Sequence, residues 1–257
     1  MGLANTAGGP DSGAFVGNQP TDPANNFAAD HDGWILAGCA LLVYWLLRQD
    51  AFVNQDARFF ITAAARDQPL STLHPLYSAT GRSAASFARW LGVESTALAL
   101  TGVSIVASAV AVGVAHSAIG ALERDRRRRN AMTAWFALLP VVVFFGTVIE
   151  ATALLQLCAA FAAHQAAHWY RDRSTPHALG AGLACGVGSF AHASGHVLWI
   201  VTVALAGAAV LDRRALSRLL PLGLIPIAYG LTVLIGKAIF VAAEATQDGG
   251  VTSAVDW

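Results

Sequence analysis

Glu150 stands in the run Val148-Ile149-Glu150-Ala151-Thr152-Ala153-Leu154, with apolar neighbours on both sides. A carboxylate near bilayer depth is costly, so it is usually paired or functional. Other groups able to hold charge or move protons are spread along the chain: Asp50, Asp56, His74, and the pair His192 and His196, four residues apart. Carboxylates and imidazoles are the side chains that serve as general acids and bases near neutral pH. A second pair at the same spacing, His164 and His168, together with His116 on another apolar stretch, has the form of metal or haem ligation inside a helical bundle. Cys39, Cys158 and Cys185 fall in apolar segments without CxxC spacing and read as packing residues.

The elements that must position these groups follow from composition. Of 257 residues, 55% are hydrophobic and only 12% are charged, with a mean hydropathy of +0.52. A soluble domain carries about twice that fraction of charge, so the chain reads as an all-α, polytopic integral membrane protein. Net charge is zero, which removes any argument for nucleic acid or a strongly charged partner. The first 32 residues are rich in Gly, Pro, Asn and Asp and contain no Lys or Arg. They read as a disordered tail.

Apolar runs then place the spans. A short one covers residues 34–47, with Trp34, Tyr44 and Trp45 as interfacial anchors. Residues 48–94 form a long mixed segment in which 56–66 and 83–91 show helical spacing with one apolar side, as in amphipathic helices lying on a membrane surface. Residues 96–119 form a clean span. Residues 131–170 would make one helix of about 60 Å, too long for a single crossing, and so fold as a hairpin turning near Gly146-Thr147. Residues 176–211 form a second hairpin, turning at 189–196. A last span covers 215–240, kinked by Pro221 and Pro226. The count is about seven spans over residues 33–241, with an external loop at 48–94 and an external tail at 242–257.

Three arginine-bearing loops, at residues 123–129, 171–173 and 212–218, fall on one side of this topology. The positive-inside rule puts them in the cytoplasm of a bacterial-type inner membrane, with the N-terminus inside and the C-terminus outside. The loop 48–94, the Glu150 turn and the turn with His192 and His196 then share the external face. An active site, if the chain has one, belongs there.

Four short stretches carry a resemblance. Asn54-Gln55-Asp56-Ala57-Arg58-Phe59-Phe60 follows the first span, and His74-Pro75-Leu76-Tyr77 comes later in the same loop. The Glu150 run opens the fourth span, and Phe190-Ala191-His192-Ala193-Ser194 forms the turn between the fifth and sixth. In order and in sidedness they resemble the acidic, His-x-Leu-Tyr, glutamate and polar-turn elements of GT-C superfamily membrane glycosyltransferases. That group includes the protein O-mannosyltransferases and aminoarabinose transferases. The resemblance covers roughly residues 33–240. It departs from the pattern in having Asp56 without an adjacent second acid and in lacking the further spans of full members, as in a truncated or degenerate form.

The resemblance implies a sugar donor linked to a polyprenyl phosphate in the membrane, and an acceptor that it leaves unspecified. It implies Asp56 as the base and Glu150 as the group orienting an arginine or the acceptor. Arg58, Arg82 and His192 would meet the phosphate, with His74, Tyr77 and His196 completing the substrate site. No cofactor is required, although a divalent metal is compatible. Three other readings stay open: a non-catalytic membrane subunit retaining the scaffold within a complex, a small transporter, and a haem- or metal-binding protein. For a transporter, only Lys237 and Glu150 qualify as mid-membrane charges, and the halves show no repeat. Gly180 to Gly188 reads as helix packing, not a phosphate loop. Single cysteines placed at positions 56 and 150 are expected to react with an impermeant thiol reagent from the same side of the membrane. Labelling from opposite sides would break the shared face on which this topology depends.

Overall fold

The structure, a computed structural model, describes residues 23–49, 55–66, 74–211 and 221–247. The first 22 residues, Asp50, the third arginine loop and the last ten residues lie outside the described residues. Within them the fold is entirely helical. The helices are α1 (Pro23–Leu46), α2 (Gln55–Ala65), α3 (Pro75–Trp90), α4 (Thr96–Leu122), α5 (Arg126–Ala137) and α6 (Pro140–Thr147). They continue with α7 (Thr152–Asp172), α8 (Thr175–Ala191), a 3₁₀ turn (Ala193–Val197), α9 (Leu198–Leu211) and α10 (Leu224–Gln247).

α4 is the axis of the molecule. It is 27 residues long, about 40 Å, and starts at Ser95, whose side chain accepts a hydrogen bond from the Leu98 N–H. Its buried face is made of small residues, among them Ser104, Ala107, Ser108 and Ala111, which lets neighbouring backbones approach closely. α1 runs antiparallel to it: Gly33 meets His116 and Ala37 meets Gly113, while Tyr44 lies beside Ser108 against Gly146. α7 runs parallel to α4, with Glu150 opposite Ser104 and Gln156 bonded to Ser108. α8 returns antiparallel to α7, and α10 runs parallel to α8 along Gly182, Gly186 and Phe190. α4 and α7 therefore run one way along the bundle, and α1, α8 and α10 run the other.

Two helical runs, Thr96–Leu122 and Pro221–Ala242, are long and apolar enough to cross a membrane, and the bent pair α5–α6 makes a third if counted as one span. The bend is 55° and falls where Pro140 lacks an N–H and forces Leu139 into extended backbone, ψ 130°. α7 carries Gln156, His164, Gln165 and His168, which lowers its apolarity. The apolar parts of α1 and α9 are short, at His31–Leu46 and Ala193–Ala208.

The expected hairpin turns are present, one after Thr147 and one at His192. Both loop helices are present too, with α3 starting earlier than expected because Pro75 suits a first helical position. α1 differs: residues 23–32, expected in a disordered tail, are helical. Asp32 lies at the end of that stretch. It is buried and accepts from Arg126 Nε and Nη2 at 2.5 and 2.6 Å and from Asn130 Nδ2 at 3.1 Å. Those hydrogen bonds hold its carboxyl far below the usual carboxylate range and latch α1 to α5. α10 likewise continues to Gln247, past the expected end of the span.

The contact between α8 and α10 is backbone-close. A Cβ at Gly182 would lie 2.3 Å from the Ile225 carbonyl oxygen, and one at Gly186 would lie 2.5 Å from Thr232 Cβ. Gly38 has open space at the same point. Gly182→Ala is expected to cost roughly 1–3 kcal/mol despite a helix-propensity gain, whereas Gly38→Ala should be neutral or mildly stabilising. Thermal unfolding in detergent reads the difference, and equal midpoints would contradict the contact.

Candidate functional site

His74 is the residue before Pro75 and caps the start of α3. Its Nδ1 lies 3.3 Å from the Ala191 carbonyl in the last turn of α8. His192 ends α8 and begins the 3₁₀ turn. Its Nδ1 accepts from the Ser194 N–H at 3.1 Å and sits 2.6 Å from the Ser194 hydroxyl. The two imidazole rings are 4.9 Å apart, centroid to centroid. Phe60 of α2 stands edge-on to both His74 and Tyr77, at 5.7 and 4.7 Å, and this packs the first loop helix onto the pair.

Behind the rings lies Glu150. It is buried in the turn between α6 and α7, and its Oε1 accepts from the Ala151 N–H at 3.0 Å and the Thr152 hydroxyl at 3.5 Å. Its own N–H donates to Ser104 Oγ at 3.4 Å, and the Tyr77 hydroxyl approaches the same oxygen at 3.5 Å. Ser104 thereby ties α3, α4 and the Glu150 turn together. Tyr77 is fully buried, and burial pushes its phenol well up, so it stays protonated.

Asp56 is exposed in the first turn of α2, where a carboxylate also faces the helix dipole favourably. Its charge and that of Glu150 both reach the His192 ring. Five sequence-predicted residues are thus brought together: Asp56, His74, Tyr77, Glu150 and His192. Three are not part of this group. Arg58 is exposed on α2, Arg82 is half-buried on α3, and His196 turns towards α10, where its Nδ1 lies 2.6 Å from the Tyr229 hydroxyl.

Sequence reasoning missed Ser104, Phe60 and Ser194. A signal for Ser104 existed, since Thr101, Ser104 and Ser108 form a polar line at helical spacing inside an apolar span. His164 and His168 lie elsewhere, their rings 4.5 Å apart, with the His168 ring 5.2 Å from that of His177. His116 is bonded to Thr133 at 3.0 Å. These belong to the end of the bundle that holds Asp32 and Arg126. Among the described residues no group of three or more His, Cys, Asp or Glu side chains is arranged to hold a metal.

An apolar groove opens next to the ring pair. About 370 Å³ in volume, it runs between α3, α8 and α10, walled by Pro75, Leu76, Val187, Phe190, Ile235 and Ile239. Pro75 adjoins His74 and Phe190 lies two residues before His192, so the groove neighbours the polar group along the chain at both α3 and α8. No family model, curated protein or solved structure matches the chain.

Burial and the neighbouring His74 push the His192 imidazole below its usual range, while Glu150 and Asp56 pull it up. The net effect on His192 is downward. Glu150→Gln and Asp56→Asn are each expected to lower it further, because each removes a charge that favours the imidazolium. An NMR titration of the His192 ring in nanodiscs checks this. A rise in either variant would show that the carboxylate does not face the ring.

Proposed function

We propose that this chain is a seven-span inner-membrane protein that transfers a sugar from a polyprenyl-phosphate donor to an acceptor at the face opposite its arginine loops. The observation that carries this reading is the junction of the polar cluster with the apolar groove. A substrate with a long hydrocarbon tail and an anionic head has both halves matched there: the tail along α3, α8 and α10, the head beside His74 and His192. Burying a chain in such a groove contributes about 0.8 kcal/mol per CH₂ relative to water. The GT-C resemblance supports the same reading, because its four motifs supply Asp56, His74, Tyr77, Glu150 and His192.

In this reading the helices too short or too polar to qualify singly cross as parts of a bundle. Their polar residues face one another: Gln156 meets Ser108 and Gln165 meets His177. The N-terminus is cytoplasmic and the C-terminus external. Arg58 and Arg82, on the two loop helices, contribute positive charge for the phosphate, since guanidinium suits bidentate phosphate contact. Asp56 and Glu150 supply the negative charge that transfer requires on the acceptor side.

The test is reconstitution in proteoliposomes with a radiolabelled polyprenyl-phosphate hexose and a peptide or lipid acceptor panel. Wild type is expected to release the label from the donor. Asp56→Asn is expected to lose about 100-fold in rate while still binding the donor. Full activity in Asp56→Asn would remove the carboxylate from the chemistry. Binding of the donor without any transfer by wild type would make the chain a lipid-binding subunit instead.

A further inference from the structure

We infer that the polar cluster lies inside the hydrocarbon layer, about 8 Å from the bilayer midplane, and that the tip of the α3–α4 hairpin beyond it is seated in the lipid interface. The inference goes beyond the transferase reading and rests only on α4 and α10 crossing the membrane.

Two spans give the depth independently. The middle of Thr96–Leu122 is Ala109, and Ser104, which accepts from the Glu150 N–H, stands five residues from it, about 8 Å along the helix. The middle of Pro221–Ala242 falls at Leu231 and Thr232, and Thr232 lies against Gly186. α8 ends at Ala191, five residues further on and again about 8 Å, where its carbonyl meets His74. Half of a roughly 30 Å hydrocarbon layer is about 15 Å, so both spans put the cluster about 7 Å beneath its boundary. Other helices stop at the same level: α1 ends at Leu46, soon after Tyr44 passes Ser108, and α6 ends at Thr147.

α3 and α4 continue past that level. Tyr77 meets Ser104 and Gly81 meets Leu100, so α3 runs antiparallel along the first turns of α4 instead of lying across the bundle. The turn between them starts after Trp90 and ends at Ser95, nine residues and about 13 Å beyond Ser104. That places it about 6 Å past the hydrocarbon boundary, among headgroups. α10 reaches nearly as far, since eight residues, about 12 Å, separate Gly236, which receives Phe190, from Glu244. Lys237, the only charged residue between Pro221 and Ala242, adjoins Gly236 at the level of the cluster.

The side chains suit these depths. Phe87, Trp90, Leu91 and Val93 are exposed at the tip, the first and second with rings stacked 5.7 Å apart. Arg89 and Glu94 are exposed beside them. Aromatic rings with charged neighbours are favoured at headgroup level, whereas in water the same four would leave an unusual apolar end on a hairpin. Below the tip, Ser78, Arg82, Ser86 and Arg89 follow at helical spacing along α3. An arginine against lipid chains is costly, so this flank faces water, headgroups or α2 in place of hydrocarbon. A lipid head that meets the cluster therefore leaves the headgroup plane to do so.

Native tryptophans test this in proteoliposomes of phosphatidylcholine brominated either near the headgroup or near the chain end. Trp90 is compared with Trp45, an exposed indole in the last turn of α1, each read by difference against Trp90→Phe or Trp45→Phe. Both indoles are exposed, so neither substitution removes core packing. Trp90 is expected to be quenched most by bromines near the headgroup, and Trp45 most by bromines near the chain end. Quenching of Trp90 by aqueous iodide and by neither lipid would put the tip in water and overturn the inference. Protection of Trp90 from iodide and from both lipids would mean that protein covers the tip, with the same result. Equal depths for the two indoles would remove the buried level of the cluster. None of these outcomes depends on sugar transfer, so a failure here leaves the transferase reading to its own assay.

Discussion

The parallel contact between α4 and α7 determines where the polar end of the molecule can form. Ser104 and Ser108 on α4 face the Glu150 turn and Gln156, and Ala107 shares a buried cluster with Ile149, Ala151 and Ala153. Larger residues on α4 would hold α7 further away, and the Glu150 N–H would lose Ser104. That N–H is buried at the start of a helix, where the first turn leaves donors without intrahelical partners. Ser104 satisfies one of them, and Glu150 satisfies the Ala151 N–H with its own carboxylate. A costly charge is thus placed where helix-terminal donors already need an acceptor.

The same contact separates the two ends chemically. At the far end imidazoles are used differently. His177 Nδ1 lies 2.7 Å from Gln165 Oε1 and Nε2 lies 3.3 Å from Asp172 Oδ2, so both nitrogens meet side-chain oxygens. The arginine loop beside it pairs Arg126 with Asp32. Charges here are matched locally and close the bundle. At the Glu150 end the histidines meet the backbone instead, His74 at the Ala191 carbonyl and His192 at the Ser194 N–H.

Much of this was legible from residue order. The turns near Gly146 and at His192 follow from apolar runs too long for one crossing, and the two loop helices follow from apolar spacing. The expected alternation of spans places Asp56, His74, Glu150 and His192 on one side, and the structure brings His74 and His192 to within 4.9 Å of each other. Distances within the end were not legible. Whether His196 joins His192 depends on the 3₁₀ turn between them, and that turn sends His196 to Tyr229. The start of α1 was misread because the composition of residues 23–32 suggests disorder. The partner of Asp32, at the end of that stretch, is Arg126, 94 residues away. The break at Pro140 was also missed, although proline in an apolar run announces it.

Glycine links packing to the groove. Gly182 and Gly186, four residues apart, let α10 sit on the α8 backbone, and Gly236 receives the Phe190 ring, whose carbons would lie 2.2 Å from a Cβ there. α10 crosses the end of α8 at a fixed depth as a result, leaving its remaining face almost wholly exposed. The space between α3 and α10 is then set by helix backbones, and backbones do not adapt as side chains do. Phe190 closes the groove two residues before His192. One helix therefore sets both the spacing to α10, through Gly182 and Gly186, and the place of the Phe190 ring that lines the groove.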